Sequence, residues 1–492
     1  MDKLGTITKY YPFIDEESKS ILNSLMEESS SYYDFVHRIG KMVLEKQSSE
    51  DMVFIAAAQC WYASEPTLKE AILKKYESLA SIKPWAYYWR TQERWNVEIC
   101  QNLLHDIELA IKPPTDKWKI AEILLGHAFN ISEHPESVNL LSTAKAILNQ
   151  EPILSYFEPL IYLTEGSMNS LEGKVSEAIT SFRKAHEIAA KSDSVYEFLS
   201  IILLGYCIKN RNPYESIDLF EHAYQIAQDL GVPVFKGEAL HYVGGVYEIL
   251  GEYDLAISSQ LESLNEYPPG RNEMIFAILS RLYAAIDNGQ ASLEWADRCL
   301  EDKEFHIGYL RKARALIILD RLGEAEMFLD TASQRVLQVG NDAHLARYYF
   351  VSGLFDMAKG EFANAMGTLE QAYEILHSME ALLYLNEVLI ALAKAELSLL
   401  IQSQSRNEVV SGRWISNLEN HARTHNMPGL AMQAALLRSE LFKSQGQLQD
   451  AYETLRRALE LTDSLGVKTL RKRITTQMKE ISRLLQDEEM VP

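Results

Sequence analysis

Glycine and proline are scarce in this chain, at 23 and 14 of 492 positions. All-β folds need turn residues every few positions, so the shortage argues against them and favours helix. Cysteine is scarcer still. Cys60, Cys100, Cys207 and Cys299 lie far apart with no C-x-x-C pair, which argues against a disulfide framework or zinc ribbon and suits buried thiols in a reducing compartment. Basic charge is also in short supply: 48 Lys and Arg face 69 Asp and Glu, a formal net charge of −21. Such a surface repels a phosphate backbone, so nucleic acid is not expected as a partner.

Long apolar runs are missing too. The most membrane-like stretch, Leu382 to Ile401, is interrupted by Asn386, Glu387, Lys394 and Glu396, each unfavourable at a bilayer centre, and reads as a buried helix of a soluble protein. No apolar core of signal-peptide length precedes Asp15-Glu16-Glu17, and the expectation is a cytoplasmic protein without a membrane partner. Catalytic signatures are likewise lacking: there is no phosphate loop, no G-x-S-x-G elbow and no G-x-G-x-x-G fingerprint. The expectation is therefore a protein that is not an enzyme, with no catalytic residue, cofactor or metal. His421 and His425, four apart near Glu419, have metal-ligand spacing but no third ligand, and read as exposed histidines.

What the chain does have is a recurring triplet of small residues, spaced 12 and then 7. It runs Gly166-Ala178-Ala185, Leu204-Ser216-Ala223, Gly244-Ala256-Ser263, Ser280-Ser292-Cys299, Ala313-Ala325-Ala332, Gly353-Ala365-Ala372 and Ser439-Ala451-Ala458. An interval of seven is two helical turns, so the last two members share one stripe of one helix. The first member lies on the preceding helix, and small residues at the crossing let two antiparallel backbones come close. Gly173, Gly251, Gly360 and Gly446 each follow the first member by seven, where a helix stop is needed. Phe182, Phe220, Leu329, Leu369 and Leu455 lie four beyond the middle member and are expected in the core.

This pattern resembles the tetratricopeptide repeat, a helix-turn-helix unit with small residues at three consensus positions. Leu240 to Pro268 is the best match, and Tyr247 also fits. Units start 38, 40, 36, 33 and 40 residues apart from Gly166 to Gly353, mostly longer than the usual ~34. The array thus resembles the long-helix variety of kinesin light chains, peptide-sensing bacterial regulators and maltose-activator-type regulators. The implied fold is all-α: a right-handed α-solenoid of stacked antiparallel helix hairpins.

Three regions follow. Residues 1–115 read as an N-terminal helical cap of diverged hairpins, ending near Pro113-Pro114. Residues 116–465 read as an array of about eight units, with 381–426 degenerate, and residues 466–492 as a capping helix and short tail. An aromatic concentration, Trp61, Trp85, Trp89, Trp95 and Trp118 with Tyr62, Tyr87 and Tyr88, either seals the first end of the stack or forms a docking surface.

The resemblance implies that first helices line a concave groove for a protein or peptide segment. The groove-facing positions here are His241, Glu248, Arg281, Arg314, Arg347 and Gln433. Arg281, Arg314 and Arg347, spaced 33 and 33, would offer forked donors to an acidic partner segment. The alternative is that each pairs internally with a carboxylate of a neighbouring hairpin, such as Asp287, Asp320 or Asp356. Leu163, Ser167 and Ile202 stand where a chaperone-tail clamp would need lysine and asparagine, so that specialised binding is not implied. The leading expectation is a non-enzymatic scaffold or adaptor; the alternative is a ligand- or peptide-responsive regulator whose superhelix changes on binding.

Overall fold

The computed structural model describes residues 5–76, 117–130, 132, 136–150, 156–267, 272–301, 307–339, 341–379, 381–402, 412–461 and 468–489. Trp85, Trp89, Trp95, Tyr87, Tyr88, Cys100, Pro113, Pro114 and Pro268 lie outside these residues. The structure is an all-α helical repeat, and the chain falls into two compact units, residues 1–239 and 240–492.

Unit 1 begins with a short α1 (Gly5–Thr8), then α2 (Glu16–Glu28), α3 (Tyr32–Glu45), α4 (Glu50–Tyr62) and α5 (Pro66–Tyr76). Three hairpins follow: α6 (Lys117–Asn130) with α7 (Glu136–Gln150), α8 (Glu158–Leu171) with α9 (Val175–Ala189), and α10 (Ser194–Ile208) with α11 (Pro213–Leu230). Side-chain caps start several of these helices. Asp15, Ser31, Ser49 and Asp193 each accept from a backbone N–H in the first turn, satisfying donors the helix leaves open.

The N-terminal helices are tied down by a buried polar hub. Lys9 is 1% exposed and donates to the Tyr196 hydroxyl at 3.0 Å, with Glu122 at 3.5 Å. The rings of Tyr62 and Tyr196 lie 4.6 and 4.5 Å from its ammonium. Glu122 in turn accepts from Tyr10 and Tyr62, and Gln59 links Tyr10 to Tyr32. Trp118 is buried and packs on Tyr10, Phe13 and Phe54. Among the described aromatics, then, Trp118 and Tyr62 hold helices together.

Helix α12 (Pro233–Leu250) crosses the boundary and opens unit 2. There follow α13 (Tyr253–Glu266), α14 (Glu273–Ala285), α15 (Gly289–Cys299), α16 (Ile307–Ile318), α17 (Leu322–Val339), α18 (Asp342–Ala358) and α19 (Phe362–Ser378). Then come α20 (Leu382–Gln402), α21 (Arg413–Thr424), α22 (Pro428–Ser444), α23 (Leu448–Leu461) and α24 (Lys468–Glu489). Even-numbered members are the first helices of successive hairpins, and α14, α16, α18, α20 and α22 also pack on one another in order, forming an inner layer. The degenerate segment 381–426 contains the pair α20 and α21, both with buried apolar faces. Leu470, Ile474 and Ile481 of α24 cover the last hairpin.

The crossings explain the triplet. All of its members are buried. A Cβ on Gly166 would lie 2.5 Å from Phe182, and one on Gly353 2.6 Å from Leu369, so the large residue four beyond the middle member fills the space above the glycine. Where serine replaces glycine, it bonds across the crossing: Ser280 Oγ donates to the Ser292 carbonyl and Ser292 Oγ to the Ser280 carbonyl, both at 2.8 Å. One assignment moves by a residue. Gly205, not Leu204, occupies the second crossing, because Ser216 Oγ donates to its carbonyl and a Cβ there would meet Phe220 at 2.6 Å.

The turns also follow the expected spacing. Gly173, Gly251, Gly360 and Gly446 have φ of 75–80°, and Asp287 and Asp320 take the same left-handed conformation at the equivalent place in units without glycine. Unit 2 curls on itself. The Gly251 turn meets Gly429 so closely that a Cβ on Gly429 would lie 2.6 Å from the Gly251 carbonyl. Asn386 on α20 donates to the Ile249 carbonyl, and Thr469 on α24 donates to Asp254. The inner layer is therefore enclosed.

Two glycines separate the crossing constraint from general helix propensity. Gly353→Val should lower stability by roughly 1–3 kcal/mol through overpacking against Leu369. Gly367→Ala, in α19 with nothing within 4 Å of the added carbon, should raise it by roughly 0.5–1 kcal/mol. Denaturant midpoints of both variants check the contrast, and a neutral Gly353→Val would remove the steric account.

Candidate functional site: an arginine recess in unit 2

The inner layer of unit 2 holds charges where a core would normally be apolar. Glu248 (α12), Arg281 (α14), Arg311 and Arg314 (α16) and Glu387 (α20) are all at most 6% exposed, and Arg347 (α18) is half-buried. Helical spacing delivers them in pairs: Arg311 and Arg314 are three apart on one face, as are Tyr384 and Glu387.

Two ion pairs form inside. Arg281 Nη2 donates to Glu248 Oε2 at 2.7 Å and Arg314 Nη1 to Glu387 Oε1 at 2.6 Å. The expectation of a wall of three open arginines is corrected here: Arg281 and Arg314 are buried and already paired, and Glu248 is the counter-ion of Arg281 rather than an open groove contact. For Arg281 and Arg314 this is the internal pairing with a carboxylate that was the alternative, made with Glu248 and Glu387 and not with the aspartates given as examples. His241 is held across its own hairpin, its Nδ1 lying 3.0 Å from Gln260 Oε1 while Gln260 Nε2 donates to the His241 carbonyl.

The remaining arginines have less than they need. Arg311 makes no salt bridge among the described residues, and its Nε has no hydrogen-bond acceptor. Among the described residues Arg347 makes no salt bridge; its Nη1 lies 3.2 Å from a neutral-capable ring nitrogen, His344 Nδ1, and its Nε has no hydrogen-bond acceptor. Arg281 keeps Nε and Nη1 without acceptors beyond its bond to Glu248. These three guanidinium groups gather round Tyr384, whose ring lies 4.8 Å from Arg281 and 4.4 Å from Arg347.

The electrostatics follow from the inventory of four arginines against two carboxylates. Burial, together with Arg281 and Arg347, pushes Arg311 down to about 10. Although burial alone would raise the Tyr384 phenol, Arg281, Arg311 and Arg347 together hold it below its ordinary value. The Tyr384 shift reports surplus positive charge, whereas the Arg311 shift is due mainly to burial. The recess could hold a carboxylate or another small anion through charge-assisted bonds, and the phenol could add one more donor.

Sequence reasoning missed Arg311, Tyr384 and Glu387. Glu387 was visible as an interruption of an apolar run, but pairing it with Arg314, 73 positions away, requires knowing that unit 2 closes. Nor are His421 and His425 simply exposed. Their rings lie 4.6 Å apart, His421 Nε2 is 2.9 Å from Asn386 Oδ1, and burial aided by His425 and His377 pushes His421 down to about 4. Among the described residues no group of three potential ligands could hold a metal. No described helix is long and apolar enough to cross a membrane.

No family model matches the sequence, and no curated protein matches it. Among solved structures the chain is similar to a Rap protein complexed with competence and sporulation factor, at 14% identity and a TM-score of 0.37, covering 75% of this chain and 98% of that one. It is similar to phAimR with its ligand, at 14% identity and 0.40, covering 77% and 97%. A third is the human IFIT1 dimer with m7Gppp-AAAA, at 13% identity and 0.41, covering 87% and 94%. Likeness at this level carries no argument about function, which rests on the site itself.

Two measurements probe the site's physics. Arg281→Met should destabilise by roughly 3–5 kcal/mol because it strands a buried Glu248, and adding Glu248→Met should recover most of the loss. A double variant as unstable as the single one would contradict the pairing. Separately, the folded His421 value lies below the unfolded 6.5, so the unfolded chain takes up its proton first. Stability should fall as pH drops from 6.5 toward 4 and this contribution should level off below. His421→Gln should show a shallower fall across that window; identical slopes would exclude His421 as a source.

Proposed function

We propose that this protein is a non-enzymatic interaction scaffold whose second unit takes an acidic group of a partner protein or peptide into the recess around Tyr384. The observation that carries this reading is the set of unpartnered guanidinium N–H groups on Arg281, Arg311 and Arg347, buried inside a chain of net charge −21. Leaving a cation buried without a counter-ion is unfavourable by several kcal/mol, and a sequence with 69 acidic residues had abundant means to neutralise it. An incoming carboxylate supplies what the fold omits. Arg347 and Tyr384, each half-buried, form the way in, while Arg281 and Arg311 form the floor. Arg314 and Glu248 support the recess as partners of Glu387 and Arg281. The acidic exterior favours a single carboxylate on a protein segment over a polyanionic nucleic acid.

The test uses a C-terminally amidated fluorescent peptide of alternating glutamate and alanine, with an amidated all-alanine peptide and a single-stranded oligonucleotide as competitors. The glutamate peptide should bind, Arg347→Met should weaken it by about tenfold or more, and added salt should weaken it further. Arg311→Met should also weaken binding while raising the thermal midpoint, because it removes an uncompensated charge. An arginine kept for structure would lower that midpoint. Equal binding of the alanine peptide, or displacement by the oligonucleotide at lower concentration, would overturn the proposal.

A further inference from the structure

Next to the arginine recess, unit 2 contains a partly open cavity of about 160 Å³. By comparison, an engineered apolar cavity of about 150 Å³ admits benzene, so this one, open on one side, can enclose a compact aliphatic residue. One side is aliphatic and aromatic, formed by Ile317, Ile318, Phe350, Leu354, Met357 and Ile390. The other is polar and carries Arg314, Glu387, Lys394 and Gln433.

The polar side is incomplete in a directional way. Glu387 uses Oε1 for Arg314 and leaves Oε2 buried without a donor, while Gln433 leaves Nε2 buried without an acceptor. Glu387 is 6% exposed and Gln433 8%, so neither open valence belongs to an ordinary surface group. Lys394 makes no salt bridge among the described residues, and burial holds its ammonium below its ordinary value. Asp287 also lines the cavity, but its carboxylate is 56% exposed and lies 3.6 Å from Arg473. The site therefore offers one acceptor, one neutral donor and one cation beside an apolar wall.

We infer that this cavity binds an aliphatic α-amino carboxylate: the N–H to Glu387 Oε2, the carboxylate to Lys394 and Gln433 Nε2, and the aliphatic side chain against Ile317, Phe350 and Ile390. Two sources share that chemistry, the C-terminal residue of a peptide and a free branched-chain amino acid. The inference deepens the proposed function by giving the bound segment a defined end. It rests on Lys394 and Gln433, which take no part in the recess around Tyr384, so the two readings fail separately.

Calorimetric titration of the full chain with N-acetyl-L-leucine, L-leucine and N-acetyl-L-leucine methyl ester tests it. At least one of the two acids should bind saturably, and the ester should bind about tenfold more weakly than N-acetyl-L-leucine. Lys394→Met should abolish that difference by weakening the acid alone. Ala391→Leu, which narrows the cavity wall, should weaken all three. Tighter binding of the acetylated form identifies a peptide C-terminus, and tighter binding of leucine a free amino acid; both support the site. Equal affinity of acid and ester, acid binding indifferent to Lys394→Met, or no binding of any probe at millimolar concentration would overturn it.

Discussion

Two antiparallel helices approach only as closely as the side chains at their crossing allow, and in this protein that limit is set by single small residues. Gly166 under Phe182, Gly205 under Phe220 and Gly353 under Leu369 are variations on one contact. The serine crossings solve the same problem with reciprocal hydrogen bonds instead of an aromatic or aliphatic lid. Because each crossing fixes one hairpin's geometry, the first helices of successive hairpins are presented in order as a layer. Everything found inside unit 2 depends on that ordering.

The layer explains why α20, a long and largely apolar helix, carries Asn386, Glu387, Lys394 and Glu396. Asn386 fastens it to the Ile249 carbonyl, Glu387 neutralises Arg314, and Lys394 lines the cavity. Glu396 accepts from the Trp414 and Ile415 N–H groups and so caps the next helix, where no capping side chain precedes it. Where such a helix is buried there is no solvent to satisfy polar atoms, so each must find a partner or be kept for a ligand. Three of the four find one. The residues left over, together with Arg311 and Arg347, mark where the unit departs from the rule that governs its own core.

How much of this was legible follows from the range of each interaction. The crossings, the left-handed turn positions and the lids are separated by 7 to 16 residues and repeat in one register, so a periodic reading of the chain finds them. The triplet fails at α20 and α21, where the chain still forms two helices. The slip at Leu204 arose because spacing alone cannot tell 11 from 12 when a leucine and a glycine are adjacent. The site is different. Glu248 with Arg281 and Arg314 with Glu387 join hairpins 33 and 73 positions apart, and their pairing depends on curvature that no local pattern records. An arginine at a groove-facing position looks the same in the sequence whether the groove is open or closed on a carboxylate.

On the proposed reading, an acidic protein with a cationic interior would discriminate by depth. At physiological ionic strength charges farther apart than about 8 Å are largely screened, so the recess exerts little pull on a passing anion and the acidic exterior discourages long polyanions from settling. A carboxylate carried past Arg347 and Tyr384 would, on that reading, leave most of its water behind. The same guanidinium groups that are weak at a distance then act at low effective dielectric, where each charge-assisted bond counts for more. Selectivity in such a site comes from the requirement that the anion be carried on something thin enough to enter an enclosed helical layer. Of the macromolecular anions, an extended peptide segment or its terminus meets that requirement.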